Sequence, residues 1–253
     1  MKYSINPINN TKYKIPNKLD DKKNIDLFIN KNKNKKIVVV QGLGFVGSAM
    51  SIVCANADKK EYAVLGVDLP NINSYWKIAS MNEGTLPIMS TDKKLEQKFH
   101  KAINNSNLFA TYDSYAYSKA DIIIVDINLD VDKKIDSFGK LIDYDVDLAG
   151  FKKAIHSVGE NCKKNCLIII ETTVPPGTTE NIVKPIIDNC FISRKINLNE
   201  IRIGHSYERV MPGPNYFDSI KNFYRVYSGI DDKSSDAVKK FLLSIISTKK
   251  FFI

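Results

Sequence analysis

The chain has 253 residues, 43% of them hydrophobic, and a formal net charge of +9. That length supplies one large or two small domains with a real core, and no apolar run reaches the ~18 residues that a membrane-spanning helix needs. Ten lysines against three aspartates in Met1–Lys36 account for seven of the nine net positive charges, so the excess charge marks one segment and is not read as a nucleic-acid surface.

Residues 1–35 are rich in Lys and Asn, contain Pro7 and Pro16, and show no sustained apolar period. They are expected to form a flexible basic arm with a short helix over Asp20–Ile29, a solvated extension in preference to an electrostatic tether. The arm lacks the apolar core of a signal peptide, and the expected location is the cytoplasm. Cys54, Cys162, Cys166 and Cys190 have no partners at zinc-site spacing and are expected to be buried or free thiols, with no metal.

Residues 36–253 read as one α/β unit. Ile37–Val40 is a β-branched run suited to a strand buried on both faces of a parallel sheet. Gln41-Gly42-Leu43-Gly44-Phe45-Val46-Gly47 follows, then a small, apolar, proline-free stretch, Ser48–Ala57, that reads as a helix. In a G-x-G-x-x-G turn, Gly42 permits the bend, Gly44 admits a diphosphate and Gly47 lets helix and strand pack closely. Tyr62–Val67 is the next strand. It is closed by Asp68, placed where a carboxylate accepts from the adenosine ribose hydroxyls and disfavours a 2′-phosphate. The residues therefore point to NAD rather than NADP.

Asn73–Asn82 and Lys93–Asn105 are expected helices, Leu108–Thr111 a strand, Tyr112–Ala120 a helix and Asp121–Ile127 a buried strand. Asn128–Asp147 is polar enough for an exposed loop at the carboxyl end of that strand, where a doubly wound sheet places ligands. Leu148–Cys162 is an amphipathic helix and Leu167–Ile170 an interior strand. Thr172-Thr173-Val174-Pro175-Pro176-Gly177-Thr178-Thr179-Glu180 is a rigid turn into a helix reaching Ile187. It is either a plain connection with capping threonines or one that sets Thr173 facing the nicotinamide. Ile201–Gly204 is a strand leading into Glu208-Arg209-Val210-Met211-Pro212-Gly213, where Glu208 and Arg209 form either a surface pair or a cleft pair binding an anion and polarising a hydroxyl or water. Tyr224–Ser228 gives a last strand and Lys233–Ile246 a last helix. The expected class is α/β, a Rossmann-like doubly wound parallel sheet with helices on both faces.

Three motifs in order, the glycine loop, the Thr172–Glu180 turn and the Glu208–Gly213 segment, resemble the NAD-binding half of the UDP-glucose, GDP-mannose and UDP-N-acetylmannosamine 6-dehydrogenases. The Glu-Arg-Val-Met-Pro-Gly form is most similar to the N-acetylhexosamine branch. The resemblance implies oxidation of the C6 alcohol of a UDP-sugar to a carboxylate with two NAD⁺ and a thioester intermediate. It implies Phe45 and Val46 amides on the diphosphate, Asn128 as a further cofactor contact, and Thr173 beside the nicotinamide and catalytic water. It also implies Glu208 as the acid that helps activate that water, and Arg209 and Val210 lining the sugar-nucleotide site. Asp126-Ile127-Asn128-Leu129 departs from the family's Thr between prolines. The family's nucleophilic cysteine, its lysine and asparagine, and its dimer helix are expected beyond Ile253, so a separate C-terminal half is an expected partner and full-length members are homo-oligomers. Two rival readings are a binding or regulatory module without catalysis and a hydroxyacid-type dehydrogenase. The second leaves the Thr173 and Glu208 motifs unexplained.

Overall fold

The computed structural model describes residues 2–129 and 131–247 and the backbone of 251–252. Its centre is a sheet of seven strands, six parallel and one antiparallel. In chain order the elements begin with β1 (Tyr3–Ile5), β2 (Lys12–Lys14) and α1 (Lys22–Lys31). They continue with β3 (Lys36–Gln41), α2 (Phe45–Ala55), β4 (Tyr62–Val67), α3 (Tyr75–Asn82), α4 (Lys93–Asn104), β5 (Leu108–Thr111), α5 (Tyr115–Lys119) and β6 (Ile122–Val125). An exposed hairpin, β7 (Val131–Ile135) and β8 (Leu141–Val146), precedes α6 (Ala149–Asn161) and β9 (Leu167–Ile170). A π-helical turn over Thr179–Val183 then leads into α7 (Lys184–Ser193), β10 (Arg202–His205), α8 (Tyr216–Asn222), β11 (Arg225–Val226), β12 (Ser228–Gly229) and α9 (Asp232–Ile245).

The strand order across the sheet is β5-β4-β3-β6-β9-β10-β12. The chain runs outward from β3 in one direction and then returns to begin the other half at β6. The gap between the carboxyl ends of β3 and β6 is therefore the switch point at which such sheets bind ligands. Alternation along β3 sends Val38 and Val40 to one face and Ile37 and Val39 to the other. The first face is covered by α2, α4, α8 and α9 through residues such as Met50, Phe99, Phe217 and Phe241. The second is covered by α1, α5, α6 and α7 through Phe28, Tyr117, Phe151 and Phe191.

The N-terminal arm is not the flexible extension expected from its composition. β1 and β2 pair antiparallel, and Ser4, Asn6, Tyr13, Ile15, Ile25 and Phe28 are buried. The hairpin turns its polar residues inward: Tyr3 and Ile5 are exposed while Ser4 and Asn6 between and after them are enclosed. Burial of those side chains is tolerated because each is hydrogen-bonded, Ser4 to Ile72 and Trp76 and Asn6 to Ser80. Two smaller differences follow the same logic. The expected loop over Asn128–Asp147 carries the β7–β8 hairpin, turned at Gly139 in the left-handed region, where Asp136 Oδ1 accepts from the Phe138 and Lys140 amides. The last strand is split, and its outer part, β12, runs antiparallel to β10.

Ile25 has no exposed surface and lies in the same core as Ile37 and Val39. Ile25→Ala should therefore lower stability by about 2–4 kcal/mol, the usual cost of emptying a core site. Urea unfolding followed by circular dichroism measures it, and a loss below ~0.5 kcal/mol would show that α1 does not belong to the core.

Candidate functional site

The glycine loop closes the amino-terminal side of the switch point. Gly42 has φ +100°, a conformation that residues with a Cβ rarely adopt, and a Cβ there would lie 2.1 Å from the Asp126 carbonyl oxygen. A Cβ on Gly47 would lie 2.0 Å from the Gly42 carbonyl oxygen. Gly44 differs from both, with nothing within 4 Å of its notional Cβ. The loop is thus jammed on its inner side and open on its outer side. The amides at the start of α2, including Phe45 and Val46, have no intrahelical carbonyl to bind, and Gly44 supplies no side-chain cap. An open backbone at the positive end of a helix is the arrangement that receives a diphosphate.

Beyond this turn lies a cleft of about 450 Å³, lined by Gly42, Gly44, Asp68, Lys77, Asn128 and Lys153 among others. Asp68 is held from three directions. Its Oδ2 accepts from the Leu43 amide (3.0 Å) and from Lys77 Nζ (3.1 Å), and its Oδ1 accepts from the Leu69 amide (2.7 Å). The carboxylate just after β4 therefore buttresses the glycine loop across the strand gap while facing the cleft.

The other side of the switch point is acidic. Asp126 follows β6, Glu171 follows β9, and Glu208 lies on the segment after β10. The buried Glu171 is ion-paired with buried Arg225, whose guanidinium also donates to the Ser206 carbonyl (3.0 Å). Burial nevertheless lifts the Glu171 carboxyl above its ordinary range, against the pull of Arg225. Asp126 is only half-buried as a residue, but its Oδ2 is enclosed and has no hydrogen-bond partner. Burial pushes its carboxyl well above the usual range, and the neighbouring Glu171 and Glu208 push it further. Glu208 Oε2 accepts from the Val210 amide (2.9 Å). Thr172 Oγ1 accepts from the Ile127 amide (2.8 Å) and donates to the Val125 carbonyl (3.2 Å), clasping the ends of β6 and β9. The Tyr216 hydroxyl donates to the Phe45 carbonyl (3.1 Å) and its ring stacks on Phe45 at 4.8 Å, which fastens α8 to the start of α2.

Of the residues singled out in the sequence, Gly42, Gly44, Asp68 and Asn128 share the cleft. Thr173 is exposed at the carboxyl edge, and Glu208 joins the Asp126–Glu171 group. Arg209 is exposed and stacks on Tyr224, with the guanidinium carbon 4.6 Å from the ring centre, while Val210 packs against the core. Lys77, Asp126 and the Glu171–Arg225 pair were not expected as site residues. A lone arginine amid the apolar and aromatic run Tyr224–Tyr227 is the one signal of a buried pair that the sequence carries. All four cysteines are buried. Burial raises each thiol, Cys162 to about 11, so none offers a thiolate near neutral pH.

Fold and site together define a Rossmann-type dinucleotide-binding domain. The chain belongs to the UDP-glucose/GDP-mannose dehydrogenase family: residues 35–245 match the family model for the NAD binding domain. It is 29% identical over 226 residues to the UDP-N-acetyl-D-mannosamine dehydrogenase of Methanocaldococcus jannaschii, covering 87% of this chain and 45% of that protein. It is 26% identical over 215 residues to the UDP-N-acetyl-D-glucosamine 6-dehydrogenase of Pseudomonas aeruginosa, covering 85% and 44% respectively. Among solved structures, the NDP-N-acetyl-D-galactosaminuronic acid dehydrogenase of Methanosarcina mazei superposes with a TM-score of 0.74 at 24% identity, over 90% of this chain and 46% of that one. The chain thus spans about half the length of the relatives it matches, and its cofactor is NAD. The open face of Gly44 and the uncapped start of α2 fit a dinucleotide diphosphate. Among the described residues no helix is long and apolar enough to cross a membrane.

A carboxyl that ionises less readily in the folded chain than in the unfolded one leaves stability intact below the ordinary carboxylate range and erodes it as pH rises toward the raised value. Asp126→Asn removes that ionisation. The variant should gain on wild type from pH 4 to pH 8, by about 1–3 kcal/mol, the scale of an unsatisfied buried polar group. Thermal unfolding at the two pH values reads the difference, and a gap independent of pH would show that Asp126 titrates normally.

Proposed function

We propose that this chain forms the cofactor-binding and water-activating half of a nucleotide-sugar 6-dehydrogenase acting on a UDP-N-acetylhexosamine. The observation that carries the reading is the convergence of the glycine loop, Asp68, Thr173 and Glu208 on the carboxyl edge of one sheet. In this reading the Phe45 and Val46 amides take the diphosphate, Asp68 takes the adenosine ribose hydroxyls, and Gly42, Gly44 and Gly47 keep the backbone near enough for both. Asn128 borders the same cleft. NAD supplies the hydride acceptor; the protein's task is to hold it and to exclude competing geometry. Thr173, exposed at the end of β9, faces the nicotinamide side, and Glu208 accepts a proton from the water that hydrolyses the acyl intermediate. Arg209 and Val210 border the sugar-nucleotide.

The thiolate that such an intermediate requires is not offered by Cys54, Cys162, Cys166 or Cys190, each enclosed and each raised above the usual thiol range. We therefore assign the thiol, with its supporting lysine and asparagine and the dimer helix, to the region represented in the other half of the relatives, supplied in the same chain or by a separate C-terminal partner. Four free cysteines suit the reducing cytoplasm.

NADH formation from UDP-N-acetylmannosamine, UDP-N-acetylglucosamine and UDP-glucose should be absent with this chain alone and appear when a C-terminal half is added. Uronate formed by the chain alone would overturn the split site. Asp68→Ala should narrow the preference for NADH over NADPH by about tenfold, equivalent to ~1.4 kcal/mol. Fluorescence titration with both cofactors checks it, and an unchanged ratio would remove Asp68 from the ribose role.

A further inference from the structure

We infer that the N-terminal hairpin is a positioning element for the adenosine half of the cofactor, with Ser4 acting as the cap of a helix whose capped residue, Trp76, is 72 residues away in the sequence. The inference rests on the cofactor reading above, and the arm residues it concerns, Ser4, Asn6, Tyr13 and Asp21, lie outside the 35–245 span matched by the family.

Ser4 has no exposed surface. Its hydroxyl donates to the Ile72 carbonyl (2.8 Å) and accepts from the Trp76 amide (3.0 Å), using both capacities of the group. Trp76 is the second residue of α3, and its amide is one of those that a helix leaves without a carbonyl partner. Ser74, the residue in the capping position, makes no side-chain cap bond. The cap is instead delivered from β1. One turn further along, Asn6 Nδ2 donates to Ser80 Oγ (3.2 Å), and Ser80 Oγ donates to the Tyr13 hydroxyl (3.2 Å), so the hairpin grips α3 at two successive turns.

The residue after Trp76 is Lys77, whose Nζ lies 3.1 Å from Asp68 Oδ2 in the cleft. Fixing the first turn of α3 therefore fixes the cation that, with the Leu43 amide, orients the Asp68 carboxylate. The arm takes a second hold on the same side of the cleft. Thr111 Oγ1 donates to Asp21 Oδ2 (2.6 Å) and the Asp21 amide donates to Asp113 Oδ2 (3.0 Å), bracketing Tyr112, which lines the cleft. The arm thus bonds, through the hairpin to the loop and helix after Asp68 and through Asp21 to the residues on either side of Tyr112, to two segments that border the cleft.

The test uses the full chain carrying Ser4→Ala, with Ile25→Ala as a variant that loses stability without touching the bonds of Ser4. Dissociation constants for NADH, NADPH and ADP-ribose are measured by fluorescence and calorimetry, alongside thermal unfolding. For Ser4→Ala we expect the NADH and ADP-ribose constants to rise together by about 5–10-fold and the NADH-over-NADPH preference to narrow. Ile25→Ala should keep wild-type constants at temperatures where it is folded. Wild-type affinities in Ser4→Ala, whatever its stability, would overturn the inference alone. Loss of affinity in Ile25→Ala equal to that in Ser4→Ala would overturn it by assigning the effect to stability. A wild-type chain that binds neither ligand would overturn the cofactor reading and this inference with it.

Discussion

Two backbone segments, the turn that leaves β3 and the one that leaves β6, meet with no space between them, and the geometry of the site follows from that contact. A methyl group at Gly42 or Gly47 would overlap a carbonyl oxygen by more than an ångström of normal separation. The absence of side chains lets α2 begin immediately after the strand and run buried from Gly47 to Cys54. With its inner side closed, the loop has one open side, at Gly44, and that side faces the cleft. Asp68 then locks the arrangement from the neighbouring strand by accepting from the Leu43 amide. A carboxylate usually assigned to ligand recognition here also holds the loop that precedes it.

The opposite rim is organised by a charged pair rather than by close packing. Glu171 and Arg225 are both about 2% exposed, and Arg225 also reaches the Ser206 carbonyl. Two charges taken out of water gain little net stability from each other, but removing one partner typically costs about 3–5 kcal/mol because the other is stranded. The pair is best understood as a device that fixes where the chain after β10 returns to the sheet, and thereby where Glu208 stands relative to Asp126. Asp126 Oδ2 and Glu171 Oε2 are each enclosed without a hydrogen-bond partner.

The sheet, the glycine loop and Asp68 were legible because each is written in adjacent residues: β-branched runs, a fixed glycine spacing and a strand-ending acid. The acidic rim was not, since its members come from the ends of β6 and β9 and the segment after β10, which only strand order brings together. Lys77 carries no signal in the sequence because its partner lies across a loop and a helix start, with no spacing rule to connect them. The arm departs from its composition for a different reason. Amphipathic patterning assumes apolar residues inward, and β1 with the residue after it does the reverse, burying Ser4 and Asn6 on specific hydrogen-bond partners. Average composition is a good guide to hydrophobic burial and a poor one to a few satisfied polar contacts.

The β7–β8 hairpin projects from the fold with Ile135, Phe138, Leu141, Ile142 and Tyr144 exposed. A two-stranded ribbon with free edges and apolar side chains is a template on which other chains can add strands, the first step toward aggregation. Here Asp132, Lys133, Lys134, Asp143 and Asp145 are interleaved with the apolar residues, and Lys134 pairs with Asp143 across the ribbon. A strand arriving from another molecule would have to bring its own charges into register with these or leave them desolvated. The hairpin thus keeps its apolar surface available while discouraging indiscriminate self-association, which bears directly on how concentrated the protein can become before it precipitates.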